Sequence, residues 1–218
     1  GWKTYWIAPG EAGLPPSFDW SGSVNVADVS VDWPAPSRFD VFGVDTVGYE
    51  GEVVLPLTIT LEKPGKATDL KLAVEFMVCE RICLPLDAIY HLQLPKGDGT
   101  RGRDDALIQR FAARVPPVQD NLGTPVPGST AVIRAAALKA GGLEVVAHVP
   151  HSAVDVFVAG PEAVTFGPAR IVGHDADGAV RMVVPQVAGT AADLAGRAVT
   201  VVVSSGAAVV AWRGEVSR

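Results

Sequence analysis

Apolar and polar residues alternate over short runs for most of this chain, with the two-residue period of strands rather than the 3.6-residue period of helices. Residues 2–7 form an aromatic, strand-like segment, and the prolines and glycines of residues 8–16 predict an irregular loop after it. Val26, Val29, Val31 and Trp33 approximate a further strand, which Pro34 and Pro36 end. Residues 38–45 mix acids and aromatics without a clean period and are expected to be a loop. Residues 53–61 are a near-continuous apolar strand in which Pro56 marks an edge or a bulge. Strands over 70–78 and 84–94 then flank the short stretch Cys79-Glu80-Arg81-Ile82-Cys83.

One helical pattern interrupts the strands. Residues 104–115 place Leu107, Ile108, Phe111, Ala112 and Val115 on one face, with Asp104 as N-cap and Pro116-Pro117 as the stop. The polar, Gly- and Pro-rich residues that follow have the composition of a linker. From Thr130 a second strand pattern begins, over 131–138, 143–149, 154–158, 164–172, 179–184, 199–203 and 207–213, with turn signals between the runs. The expected fold class is all-β: two immunoglobulin-like β-sandwich domains, 1–117 and 128–218, joined by a linker over 118–127, with one short helix before it.

Composition narrows the function classes. The chain has 218 residues, 48% of them hydrophobic and 19% charged, and a net charge of -6. That acidic balance gives no support for nucleic acid as a partner. The uncharged run 198–212 falls short of a membrane span and is interrupted by Ser204-Ser205-Gly206. The opening Gly1-Trp2-Lys3-Thr4-Tyr5-Trp6 carries no signal peptide, which suggests a piece of a longer precursor. His148 and His151 have no third ligand in an evident motif and are expected at the surface or at strand ends. No nucleophile elbow, phosphate loop or paired-acid motif is present in the second half, which is expected to be a spacer or docking surface.

The chemistry concentrates at Cys79 and Cys83, the two cysteines of the chain. On one straight strand they would lie about 13 Å apart, whereas a disulfide needs Cα atoms within about 7 Å, so a straight strand is excluded if they bond; a helix would allow the distance, but the branched and aromatic flanks and Pro85 disfavour it, and a tight turn over Glu80-Arg81-Ile82 fits better. A loop that short confers only about 2 kcal/mol by loop-closure entropy, which is little for a structural staple and suits an exchanging pair better. Arg81 would favour a thiolate and Glu80 would oppose it. The residues leave three readings open: a redox-active pair, a structural disulfide, or a soft-metal site of two thiolates for which Met77 prompts Cu(I). Two ligands argue against zinc.

A family resemblance bears on the choice. Gly1-Trp2-Lys3-Thr4-Tyr5-Trp6, Pro9-Gly10-Glu11-Ala12-Gly13-Leu14-Pro15-Pro16, Phe18-Asp19-Trp20-Ser21-Gly22-Ser23, Trp33-Pro34-Ala35-Pro36-Ser37-Arg38-Phe39, Gly48-Tyr49, Val53-Val54-Leu55-Pro56 and Cys79-Glu80-Arg81-Ile82-Cys83-Leu84-Pro85 together resemble the amino-terminal periplasmic region of ScsB-type proteins, relatives of the thiol:disulfide interchange protein DsbD. The resemblance covers most of residues 1–115; the second half is similar only in its strand pattern. It implies a periplasmic protein-disulfide reductase domain of a bacterial inner-membrane protein, with no cofactor, in which Cys79 and Cys83 exchange and Cys83 attacks. Implied partners are thioredoxin-like periplasmic proteins, ScsC-like or of a peroxide-reducing pathway, and the transmembrane and carboxy-terminal thioredoxin-like domains of the full-length protein. It further implies a mobile aromatic cap over the pair, with Phe42 as its ring and Asp40 and Tyr49 as shielding neighbours; a core position is the alternative for Phe42. The three-residue spacing between the cysteines departs from the longer loop of DsbD. Copper tolerance with a Cu(I)-binding module, or a tandem sandwich with a stabilising disulfide, are the alternative functions.

Overall fold

A computed structural model of the chain describes residues 1–97, 100–194 and 196–216. Strands make up most of it, as expected for tandem immunoglobulin-like sandwiches. It falls into two compact units: one of Gly1–Ile7, Gly13–Ser37 and Gly48–Val115, the other of Ala8–Ala12, Arg38–Val47 and Pro116–Arg218.

The first half of the chain forms β1 (Lys3–Gly10), β2 (Ser17–Asp19), β3 (Asp28–Val31), β4 (Ser37–Val41), β5 (Val44–Glu50), β6 (Leu57–Thr60), β7 (Thr68–Cys79), β8 (Cys83–Leu94) and α1 (Asp105–Ala112). In the first unit β7 and β8 make a twelve-pair antiparallel hairpin without a bulge, from Thr68↔Leu94 to Cys79↔Cys83. The opposite edge of β7 is shared: β1 pairs at Lys3↔Cys79 and Thr4↔Val78, and β2 at Ser17↔Glu75 through Asp19↔Ala73. The fully buried large side chains of this unit include Tyr5, Trp6 and Phe111. Gly48 lets β1 and β5 approach, since a Cβ there would sit 2.0 Å from the Thr4 carbonyl oxygen.

Several local expectations are corrected. Residues 38–45 are not a loop: β4 and β5 pair as a hairpin whose turn is Phe42-Gly43, both at positive φ (58° and 84°). Two left-handed residues between strands match the handedness of strand twist, but that turn ordinarily takes Asn-Gly or Asp-Gly, so Phe42 concealed it. The strand expected over 53–61 shortens to β6, because Pro56 has no N–H for a ladder. In α1 the expected apolar face is only partly used: Phe111 is buried, while Leu107 and Ile108 stay largely exposed, and Asp104 makes no side-chain capping bond.

The second unit contains β9 (Val118–Gln119), β10 (Val132–Lys139), β11 (Gly142–His148), β12 (Asp155–Ala159), β13 (Thr165–Phe166), β14 (Arg170–His174), β15 (Val180–Ala188), a short helix α2 (Ala191–Leu194), β16 (Ala198–Ser205) and β17 (Ala208–Glu215). One sheet runs β10-β11-β15-β13 with β14 also on β15, the other β12-β16-β17-β9. Inward residues of both, among them Ile133, Val145, Val156, Met182, Val201 and Val210, are fully or almost fully buried in one core. The start of the segment expected to link domains, 118–127, is instead bound into this sandwich. Val118 and Gln119 pair with Ala211 and Trp212 of β17. The buried Gln119 amide donates to the Ile133 and Asn121 carbonyls and accepts from the Ile133 N–H. Sequence composition cannot reveal such a bond, because a lone Gln in a Pro-rich stretch has no periodicity to mark it as buried.

Candidate functional site

Cys79 and Cys83 close the end of the β7–β8 hairpin as its last cross-strand pair, bonded to each other with Cα atoms 4.2 Å apart. The turn Glu80-Arg81-Ile82 that joins them is exposed and held by the Glu80 N–H donating to the Ile82 carbonyl. The tight turn expected there is therefore present. Among the described residues no group of three His, Cys, Asp or Glu is arranged to hold a metal ion.

The two sulfurs occupy unlike environments. Cys79 is completely buried, whereas Cys83 is exposed. Lys3 sits directly opposite Cys79, so strand alternation sends Tyr5, two residues on, to the same face and within diagonal reach of the bridge. The Tyr5 hydroxyl donates to Cys79 Sγ at 2.9 Å and lies 3.9 Å from Cys83 Sγ. Burial raises the Tyr5 phenol above its ordinary value, so it remains a proton donor throughout the neutral range. Gly13 fixes the ring: a Cβ on that residue would fall 2.2 Å from Tyr5 Cε1, and its φ of +96° is left-handed. Thr4 anchors the same strand through its hydroxyl on the Met77 carbonyl.

Tyr5 and Gly13 were not legible as site residues. Tyr5 reads as one of three aromatics in a strand, and its contact with Cys79 depends on a pairing 74 positions away. The glycine between apolar and proline residues reads as an ordinary loop signal.

The residues expected as a cap stand as follows. Phe42 is not in a core: its side chain is 68% exposed at the tip of the β4–β5 hairpin, in a left-handed conformation that bulky residues rarely adopt. Asp40 holds that tip by accepting the Gly43 N–H at 2.9 Å. Below the tip in the same unit, Arg38 pairs with Asp45 and, through two nitrogens, with Asp155, and its guanidinium lies 5.1 Å from the Phe157 ring centroid. Tyr49 is buried in the first unit and its hydroxyl donates to the Pro34 carbonyl at 2.8 Å, so it is fixed in place.

A thiol-disulfide pair with one buried and one accessible sulfur can undergo directed exchange: a nucleophile reaches one sulfur, and the other departs toward a hydrogen-bond donor. Comparison with known proteins agrees with this chemistry. No curated protein sequence matches the chain. Its fold is similar to the crystal structure of the N-terminal periplasmic domain of ScsB from Proteus mirabilis, with a TM-score of 0.73 and 22% sequence identity, covering 100% of this chain and 83% of that one. Residues 1–95 match the family of the thiol:disulfide interchange protein DsbD, N-terminal. The region that holds Tyr5, Cys79 and Cys83 thus lies within the stretch that is similar to the amino-terminal domain of the thiol:disulfide interchange protein DsbD.

Proposed function

We propose that this chain is the periplasmic exchange region of a membrane-embedded protein-disulfide reductase, and that Cys79 and Cys83 pass electrons to soluble thioredoxin-like proteins. The observation that carries the reading is the asymmetry of the bridge: Cys83 exposed, Cys79 buried beneath the Tyr5 hydroxyl. In the accepting half-reaction an incoming thiolate attacks Cys83 Sγ, the Cys79–Cys83 bond breaks, and the electron pair leaves on Cys79. Tyr5 stabilises that sulfur by hydrogen bonding, which favours its departure. A second thiol of the donor then attacks its own half of the mixed disulfide and releases the reduced Cys79-Cys83 pair.

The donating half-reaction is the reverse in order. Cys83, as thiolate, attacks a partner disulfide and forms the mixed bond, expelling the partner's other sulfur as a thiolate. Cys79, deprotonated beside Tyr5, attacks Cys83 Sγ; the partner leaves with two thiols and the chain is oxidised. Phe42, with Asp40 holding its hairpin tip, is the cover that would shield the reduced pair from small oxidants in this scheme. Its exposure in a strained turn supports that role better than a packing role.

Transfer itself is the test. The reduced chain, mixed with an oxidised thioredoxin-like periplasmic protein and quenched with an alkylating agent, should become oxidised as the partner becomes reduced. A chain that stays reduced with every such partner contradicts the proposal.

A further inference from the structure

Beyond the exchange site, β8 presents a problem of its own. Among the described residues it pairs with β7 alone, so its second edge is open over twelve residues. Long edge strands are ordinarily blunted by lysine, bulges or a covering element. Here there is no lysine or arginine between Cys83 and Leu94 and no bulge in the hairpin, and Leu86, Ile89, Tyr90 and Leu92 are 42%, 82%, 59% and 54% exposed.

The orientation of the open edge follows from β7. Asp69 exchanges both backbone bonds with Val24, so its peptide groups face away from β8, and Lys71 likewise bonds the Ser23 hydroxyl. Odd-numbered residues of β7 therefore point away from β8 and even-numbered ones toward it. Through the register, the odd-numbered residues of β8, namely Asp87, Ile89, His91 and Gln93, aim their N–H and C=O groups outward.

We propose that this edge binds a second copy of the chain, β8 against β8, antiparallel about a two-fold axis through Ile89. Registers that oppose outward-facing residues differ by steps of two. One of them sets Asp87 of each copy opposite His91 of the other; the neighbouring registers set Asp87 opposite Ile89 or Gln93, and a further step in one direction sets it against its own copy. In the Ile89-centred register Leu86 faces Leu92, Leu84 faces Leu94 and Ala88 faces Tyr90, all in the closely spaced pairs where side chains meet best. Pro85, which has no N–H, falls opposite Gln93 near each end of the ladder, where one bond is forgone at either end. His91 already faces Asp69 of its own chain, so the second carboxylate completes a charged group on that face. An isologous contact of this kind closes on itself and leaves the β8 edge fully paired.

Sedimentation velocity of the 218-residue chain over a range of concentrations tests the proposal. The chain should show a reversible monomer–dimer equilibrium. Ile89→Lys, which places two ammonium groups at the axis, should weaken it by about tenfold or more, and Asp87→His should weaken it by setting His against His. The exchanged variant with Asp87→His and His91→Asp, made together with Asp69→Asn so that the new carboxylate does not face Asp69 of its own chain, restores opposite partners and should recover most of the association. Circular dichroism and an intact Cys79–Cys83 bond establish that each variant is folded. A chain that stays monomeric up to about 1 mM, so that the edge is left to another occupant or to solvent, overturns the proposal. A dimer indifferent to Ile89→Lys overturns it equally.

Discussion

Replacing Tyr5 by Phe isolates the contribution of one hydroxyl. The ring would still rest on Gly13, but the 2.9 Å bond to Cys79 Sγ would be gone. A hydrogen bond to a charged acceptor contributes about 1.5–3 kcal/mol, and one to a neutral acceptor about 0.5–1.5 kcal/mol. The thiolate that forms on Cys79 is the charged acceptor and the disulfide sulfur a weak neutral one. The hydroxyl therefore favours the opened state by a differential of about 1–1.5 kcal/mol. At about 1.4 kcal/mol per 30 mV for a two-electron couple, Tyr5→Phe should lower the reduction potential by about 20–30 mV where Cys79 is a thiolate. The same differential in the barrier should slow reductive opening by about tenfold. The assay is equilibration in glutathione buffers with alkylation of free thiols, together with the rate of reduction by excess dithiothreitol. A variant whose potential and opening rate both match the parent chain would refute Tyr5 as the group that stabilises the leaving sulfur.

Three further outcomes are expected. Phe42→Gly should stabilise the chain by about 1 kcal/mol in urea unfolding, because Gly adopts the left-handed turn without strain, yet it should also hasten oxidation of the reduced pair by peroxide; an unchanged oxidation rate would remove the cover role. Gln119→Leu should cost about 1–3 kcal/mol, since it leaves the buried Ile133 N–H without its acceptor while the Ile133 carbonyl keeps only the Gly123 N–H, and a loss under about 0.5 kcal/mol would show that the start of the 118–127 segment is not bound as described. Burial raises the folded-state values of Tyr5 and Tyr49, so their contribution to stability is fully present below the unfolded tyrosine value of about 10 and is lost as pH rises beyond it. Unfolding in alkali should accordingly coincide with the rise in tyrosinate absorbance, and Tyr49→Phe should move the midpoint to higher pH.

What was legible in the sequence was what depends on neighbours along the chain. Apolar runs separated by turn signals gave boundaries within a few residues for most of β10 to β17, and β10 and β15 alternate buried with less buried positions over most of their length. The turn at Glu80-Arg81-Ile82 followed from chain reach, which excludes a straight strand, together with the strand-forming flanks and Pro85, which disfavour a helix. Features that depend on distant partners did not follow. The register that brings Tyr5 to Cys79, and the parallel pairing that buries Gln119, are set by contacts between segments far apart in sequence. The β4–β5 hairpin was missed for a different reason: its turn departs from the residue preferences by which such turns are recognised.

Trapping the mixed disulfide tests the central claim most directly. In a Cys79→Ser variant the accessible Cys83 keeps its nucleophile but loses the sulfur that resolves it, whereas Cys83→Ser leaves only the buried Cys79. Each variant is incubated with an oxidised thioredoxin-like protein and separated on a non-reducing gel. The account predicts a reducible covalent complex with Cys79→Ser and far less with Cys83→Ser. Absence of a complex with either variant would contradict it, as would a native bridge whose potential lies below about -300 mV and whose reduction unfolds the first unit, both marks of a structural disulfide.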